Sequence, residues 1–254
     1  MNPKLTLHSL TQIPLVKVGD DLSGLLLDAI DAEGLQIEDG DILVIAQKIV
    51  SKSEDRQVNL DEITPSVRAV ELSQQVDKDP RLVELILMES TEVIRTAPGV
   101  IIVRHRLGIV SANAGIDQSN IDHEDGECAL LLPLDPDRSA QQLRTTLMKQ
   151  TGTSIGIVIS DSMNRPWRLG TLGYAIGCAG VKVLDDRRGD SDIFGRELKV
   201  TLSNRADSIA SAATLLMGET TEKVPAVLVR GLPIEDGAQL ARDSIRPVDQ
   251  DLFL

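Results

Sequence analysis

Asp161 stands at the end of an apolar run, IGIVIS, and is followed at once by Ser162, Asn164, Arg165 and Arg168 in the stretch VISDSMNRPWRLG. Carboxylate and hydroxyl oxygens are hard ligands for Mg²⁺ or Mn²⁺, and guanidinium groups fork onto phosphate oxygens. A carboxylate that ends a buried strand also points into the crevice where open sheets bind their ligands. The competing role is structural: an Asp capping a helix that starts near Ser162. Spacing alone leaves the two open. Asp117, in VSANAGIDQSNI, lies beside Gly115 and between Asn113 and Asn120. Taken alone it reads better as a turn held by Asx hydrogen bonds than as a ligand. Glu219 follows Gly218 in MGETTEK and is either a third ligand or an ordinary surface acid. The acids of NIDHEDGE, Asn120 to Glu127, read better as a solvated loop than as a metal cluster.

What is missing narrows the chemistry. The chain has no GxxxxGK[ST] phosphate loop, no GxGxxG after a strand and no GxSxG nucleophile elbow. Its three histidines, His8, His105 and His123, are scattered. Its two cysteines, Cys128 and Cys178, form no CxxC pair and are too few for a disulfide framework, so a reducing cytoplasm is the expected location. The RGD triplet at Arg188 to Asp190 is read as chance. The formal net charge of -13 argues against a nucleic-acid partner, and no basic stripe or aromatic platform offsets it. A phosphorylated substrate stays open, because bound divalent ions invert the local field. No apolar run reaches the length of a membrane span, and MNPKLTLHSL does not have the charged start and apolar middle of a signal peptide.

The elements that must carry these residues are legible in outline. With 254 residues, one Trp, one Tyr and two Phe, the core must be aliphatic. DGDILVIAQKIVSK reads as a turn, a buried strand over Ile42 to Ile45 and a sharp exit. A helix is expected from TPSVRAVELSQQVD, with Thr64 as cap and Pro65 as its first residue. A second begins after Asp79 in DPRLVELILMES. GVIIVRH and GIVSA suggest a hairpin around Arg106 and Leu107. LDPDRSAQQLRTTLMKQTG predicts a helix capped by Asp135, begun by Pro136 and ended by Gly152. SIGIVISDS is the clearest strand, RELKVTLSN another, RADSIASAATLLMG a helix closed by Gly218, and VPAVLVRG a last strand. The tail from Ile234 is polar. The fold class expected is mixed α/β, α+β in character, with two domains: residues 1–79 plus 184–254, and an inserted segment 80–183.

Across these stretches the chain resembles the coenzyme F420:L-glutamate ligase family. The similar segments are IPLVKVGDDL, DGDILVIAQKIVSK, VSANAGIDQSNI, LLPLDPDRSA, ISDSMNRPWRLGTLGYAIGCAGVK, FGRELKVT and ADSIASAATLLMGETTEKVPAVLVRG, matching in order and spacing over nearly the whole length. The resemblance implies GTP-dependent addition of L-glutamate through a γ-linkage to the deazaflavin precursor F420-0. It also implies two divalent ions, Mg²⁺ or Mn²⁺, with a monovalent cation beside them, and an intertwined homodimer. By the same resemblance Asp117 and Asp161 hold one ion, and Ser162 and Glu219 the second. Ile13, Pro14, Leu15, Val16, Lys52 and Asn120 match nucleotide contacts. So do Met217, Gly218, Glu219, Thr220, Thr221, Glu222, Lys223 and Val224. Gln47 and Lys48 stand where small hydroxyl residues are expected in archaeal members, a departure at a nucleotide-binding pair. Arg165 and Arg168 are our own addition as catalytic groups that orient phosphate. Two alternatives stay open: the same ligation on a different acceptor, and a non-catalytic nucleotide-binding module.

Overall fold

The computed structural model describes residues 4–123, 126–233 and 237–252. In chain order the strands are β1 (Thr6–Leu10), β2 (Ile42–Ala46), β3 (Gln57–Asn59), β4 (Ser90–Ala97), β5 (Val100–His105), β6 (Val110–Ala112), β7 (Cys128–Leu130), β8 (Gly156–Arg165), β9 (Arg168–Ala179), β10 (Leu184–Asp186), β11 (Leu202–Asn204) and β12 (Ala226–Arg230). The helices are α1 (Leu22–Ala32), α2 (Gln47–Ser53), α3 (Val67–Val76), α4 (Pro80–Met88), α5 (Pro136–Thr151) and α6 (Arg205–Met217). The expected mixed α/β class with several sheets is what the chain forms.

The main sheet runs β1-β12-β2-β8-β9. Only the β2–β8 pair is parallel; the others are antiparallel. Its central strands are apolar on both faces because both are covered. Leu43, Ile45, Ile157, Ile159 and Leu228 pack on one side with Leu22 and Leu26 of α1 and Leu143 and Leu147 of α5. Val44, Val158, Val227 and Val229 pack on the other with Ala206, Ile209, Ala210 and Ala213 of α6. Two glycines of β9 allow the helices to lie this close. A Cβ at Gly173 would overlap the Thr214 hydroxyl and the Ala210 carbonyl of α6, and one at Gly177 the Pro136 carbonyl at the start of α5. A third apolar cluster joins α3 and α4 to Ile101 and Val103 of β5 and to Ala129 and Leu131. Strands β8 and β9 fall within the segment 80–183 expected as an insertion, yet they pair into the main sheet, while the third cluster is drawn from Val58 to Leu131.

Several local expectations are corrected. Helix α3 starts at Val67, capped by the Ser66 hydroxyl on the Ala69 N–H, and not at Thr64 and Pro65. Ser66 is the better acceptor here because the Glu84 carboxylate takes its own N–H and hydroxyl, which fixes its position. In RELKVTLSN only Leu202–Asn204 is a strand. Strand β8 does not end at Asp161 but runs on to Arg165, so Asp161 and Ser162 cap no helix. The reason is β9, which pairs with β8, across two register shifts, as far as Arg165↔Arg168. Residues Ile234 to Asp236 of the tail, and Glu124 and Asp125 of the acidic loop, lie outside the described residues. Asp135 and Asp79 do cap α5 and α4, Gly152 and Gly218 do close α5 and α6, and the β5–β6 hairpin does turn at Arg106 and Leu107.

Candidate active site

The site lies where β8 outruns its neighbour. The parallel pairing with β2 ends at Ala46↔Ser160. There the chain leaves β2 and winds into α2, while β8 continues with β9 as a two-stranded ribbon. Asp161 is the first residue past that fork. Helix α2 therefore sets Gln47, Lys48 and Lys52 at the open end of the sheet.

Asp117 comes to the same place from another sheet. Its backbone makes a two-way bridge with Leu130, N–H to carbonyl at 3.0 Å and the reverse at 2.8 Å, in place of the expected Asx turn. Its carboxylate forms an ion pair with Lys48 and accepts a 2.9 Å hydrogen bond from Gln47 Nε2. Gln47 is only 1% exposed, and the Ser51 hydroxyl donates to its Oε1 at 2.8 Å, which fixes which end of the amide faces Asp117. The departure at Gln47 and Lys48 is thus built into the acid's surroundings.

Burial pushes the Asp161 carboxyl up to about 7, and the negative charges of Asp117 and Glu219 push it the same way, against Lys48 and the Ser162 N–H. Ser162 donates its hydroxyl to Glu219 Oε2 at 2.9 Å, and Thr171 donates to Glu219 Oε1 at 3.2 Å. Glu219 is presented by Gly218, whose φ of 69° ends α6. The loop after it is held by Glu222, which accepts from the Thr220 N–H at 2.8 Å and thereby lies low in the carboxylate range. A chain of hydrogen bonds then joins three segments. Lys52 Nζ donates to the Asn120 carbonyl at 2.7 Å, and Asn120 Nδ2 donates to the Thr220 carbonyl at 3.1 Å. Burial and Lys48 lower the Lys52 ammonium. Met217 accepts from the Ser160 hydroxyl at 3.9 Å through its sulfur, and Met217 and Val224 pack on the second cluster; Thr221 and Lys223 stay at the surface or near it.

The arrangement brings Asp117, Asp161, Ser162 and Glu219 together with Lys48, Lys52 and Asn120. Other expected residues make no such links. Ile13 and Val16 anchor in the main core with Pro14 and Leu15 exposed, and no hydrogen bond among the described residues joins them to the acids. Arg165 donates to the Gly170 carbonyl at 3.0 Å, and Arg168 faces solvent across the same turn. The histidines serve the scaffold: His105 sits 3.3 Å from Glu89, and His123 accepts from the Cys128 N–H. Sequence reading missed Thr171 and Ser51. Thr171 is one polar residue in a ribbon read as a loop, so no signal marked it.

Among the described residues no three His, Cys, Asp or Glu side chains group closely enough to hold one ion. The donors come as pairs. Mg²⁺ sites are commonly of this kind, with one or two carboxylates and the remaining positions filled by water and substrate phosphate. The donor set fits: the raised proton affinity that Asp117 and Glu219 impose on Asp161 is relieved by a bound cation.

Carboxylate and hydroxyl oxygens in pairs, beside two lysines at the end of a mixed sheet, make this the candidate site of a mixed α/β enzyme. The chain belongs to the F420-0:gamma-glutamyl ligase family, whose model matches residues 11–231. Curated relatives described as coenzyme F420:L-glutamate ligase come from Methanopyrus kandleri, 46% identical over 94% of this chain and 93% of its own, and from Methanothermobacter thermautotrophicus, 44% identical over 98% of each. One from Archaeoglobus fulgidus is 44% identical over 87% of this chain and 86% of its own.

Proposed function

We propose that the chain is a GTP- and divalent-metal-dependent ligase that adds L-glutamate, through γ-linkages, to F420-0 in the synthesis of coenzyme F420. One observation carries the reading: the charges of Asp117 and Glu219 bear on the buried Asp161 beside Lys48 and Lys52, within a chain that matches the family almost end to end. A carboxylate and an amine do not condense at useful rates in water, so the carboxylate must be activated. Its oxygen attacks the γ-phosphorus of GTP, GDP leaves, and an acyl phosphate forms. The amine of glutamate then attacks the carbonyl, and phosphate departs with the bond electrons while the amine gives up a proton.

Divalent ions bound here supply charge neutralisation around the phosphates. Asp117 and Asp161 would hold one, Ser162 and Glu219 the other, with Mg²⁺ and Mn²⁺ equally suited to oxygen ligands. Lys52, tied to Asn120, and Lys48, tied to Asp117, put positive charge where a nucleotide's phosphates would lie. Gln47 fixes Asp117. The loop Met217 to Val224, stitched to Asn120, supplies backbone donors to the nucleotide, and Ile13 to Val16 complete its contacts.

We include a homodimer in this reading. Trp167, Leu169, Ile193, Phe194 and Val200 are all exposed, and a second copy is a natural cover for them. Purified protein mixed with F420-0, L-glutamate, GTP and Mn²⁺ or Mg²⁺ tests the reaction by mass spectrometry. Products heavier by whole glutamyl residues, only with GTP and metal, are expected. Nucleotide binding without any such product sinks the assignment of acceptor.

A further inference from the structure

A cavity of about 500 Å³ opens between the β5–β6 hairpin, the start of α5, the β8–β9 ribbon and the turn at residues 241–246. That volume suits a small organic ligand. Ile109, Met163, Tyr174 and Ile176 give it apolar walls, and five arginines open on it. Two of these are committed within the fold. Arg106 pairs with Glu89 and donates to the Leu134 carbonyl, and Arg242 pairs with Asp135 and Asp137. Three are not. Arg246 is exposed with no ion pair among the described residues, and Arg165 has only the Gly170 carbonyl. Arg104 meets Glu92 at a long 3.4 Å, and its Nη2 is buried without an acceptor.

Four acids also line the wall, Asp135, Asp137, Asp207 and Asp251, and Asp135 is spent on the Arg138 N–H and on Arg242. Asp137 spends its oxygens on the Cys178 and Ala241 N–H groups and on Arg242, and Asp207 on the Ala175 N–H and Asn204. Unspent guanidinium donors over apolar walls select an anion with an apolar body.

The ribbon links this cavity to the reacting centre. Asp161 lies directly across from Tyr174, and Met163 and Arg165 follow along the same strand. Four residues of strand place Arg165 roughly 13 Å from Asp161. We infer that this cavity seats the acid partner of the ligation, an elongated organic anion whose own phosphate or carboxylate is held by Arg165 and Arg246 while its reacting carboxylate reaches the Asp161 end. The inference rests on the acid–amine ligase reading above, and it assigns Arg246 and Arg165, not Arg168, to substrate specificity.

The test is direct titration of the protein with F420-0, without GTP or metal, beside separate GTP titrations in the presence of Mn²⁺. Arg246→Ala and Arg165→Ala are each expected to weaken F420-0 binding tenfold or more, with GTP affinity changed less than twofold. Arg246→Lys should recover part of the loss. Arg246 is exposed and Arg165 half-buried, and the melting curves of the variants confirm folding. The cavity assignment is overturned if wild-type protein does not bind F420-0, if the variants bind it equally well, or if GTP affinity falls in step. F420-0 binding that needs both arginines supports the cavity even if no glutamate is added, and that result would overturn the reaction instead.

Discussion

Asp161 carries the sharpest expectations for single residues. Its carboxyl is held near 7 by burial and by the negative charge of Asp117 and Glu219. Between the ordinary carboxylate range and about 7 the metal-free folded chain holds a proton that the unfolded chain has lost. Stability should therefore fall as pH rises through that window. An ion must displace the same proton, so Mn²⁺ affinity should climb with pH to about 7 and then level, as calorimetry can follow. Asp161→Asn should cut metal-dependent turnover by about 10²- to 10³-fold without lowering the melting temperature at pH 8. Glu89 behaves in the opposite sense. Burial pushes its carboxyl up, but His105, Arg106 and Arg56 outweigh this and hold it at about 2. Its stabilisation is complete above the ordinary glutamate value and is lost as pH falls toward 2. Glu89→Gln should cost about 3 kcal/mol at pH 7, because the guanidinium groups of Arg106 and Arg56 lose their carboxylate. In paired denaturation curves the gap between variant and wild type should close below about pH 4.5.

At the scale of elements, the packing of α6 on β9 decides where Glu219 stands. Gly173→Ala would push a methyl group into Thr214 and the Ala210 carbonyl, so α6 must shift. A loss of about 1–3 kcal/mol in urea denaturation is expected, with a fall in activity larger than stability alone explains, since Gly218 and Glu219 ride on that helix. A change in stability with turnover intact would separate the helix from the site. This coupling was hidden in the sequence, although the elements themselves were partly legible. The apolar run Ile42 to Ile45, the Asp135–Pro136 start and Gly152 stop of α5, and α6 with Gly218 all carry local signals, and they formed as expected. The ribbon did not. Residues 161–165 and 168–174 lack a sheet neighbour on one side, so their polar composition resembles a loop, and only cross-strand pairing makes them β. Asp161 and Ser162 were visible by type; that they lie in mid-strand beyond a fork was not. Asp117 was visible as an acid near glycine, but its bridge to Leu130 is a contact of distant residues that no local pattern encodes.

For the whole molecule, the scarcity of aromatic residues predicted an aliphatic core, and the buried residues bear this out. Trp167 and Phe194 are 87% and 89% exposed. Aromatics spent outside the core are typical of surfaces that meet something. Sedimentation at micromolar protein should give twice the chain mass, and Phe194→Glu should shift it toward the monomer with the fold unchanged by circular dichroism. Wild-type protein that sediments as a monomer would remove the dimer from the proposed function.

Trp167 has one more consequence. It is the single indole of the chain, and it sits at the turn of the β8–β9 ribbon with φ of 67°, two residues from Arg165 and six from Asp161. The natural protein is therefore its own optical reporter. Ultraviolet emission excited at the indole band arises from the tip of the ribbon and nowhere else. Any event that docks or buries the tip will register as a blue shift, with no dye or mutation needed.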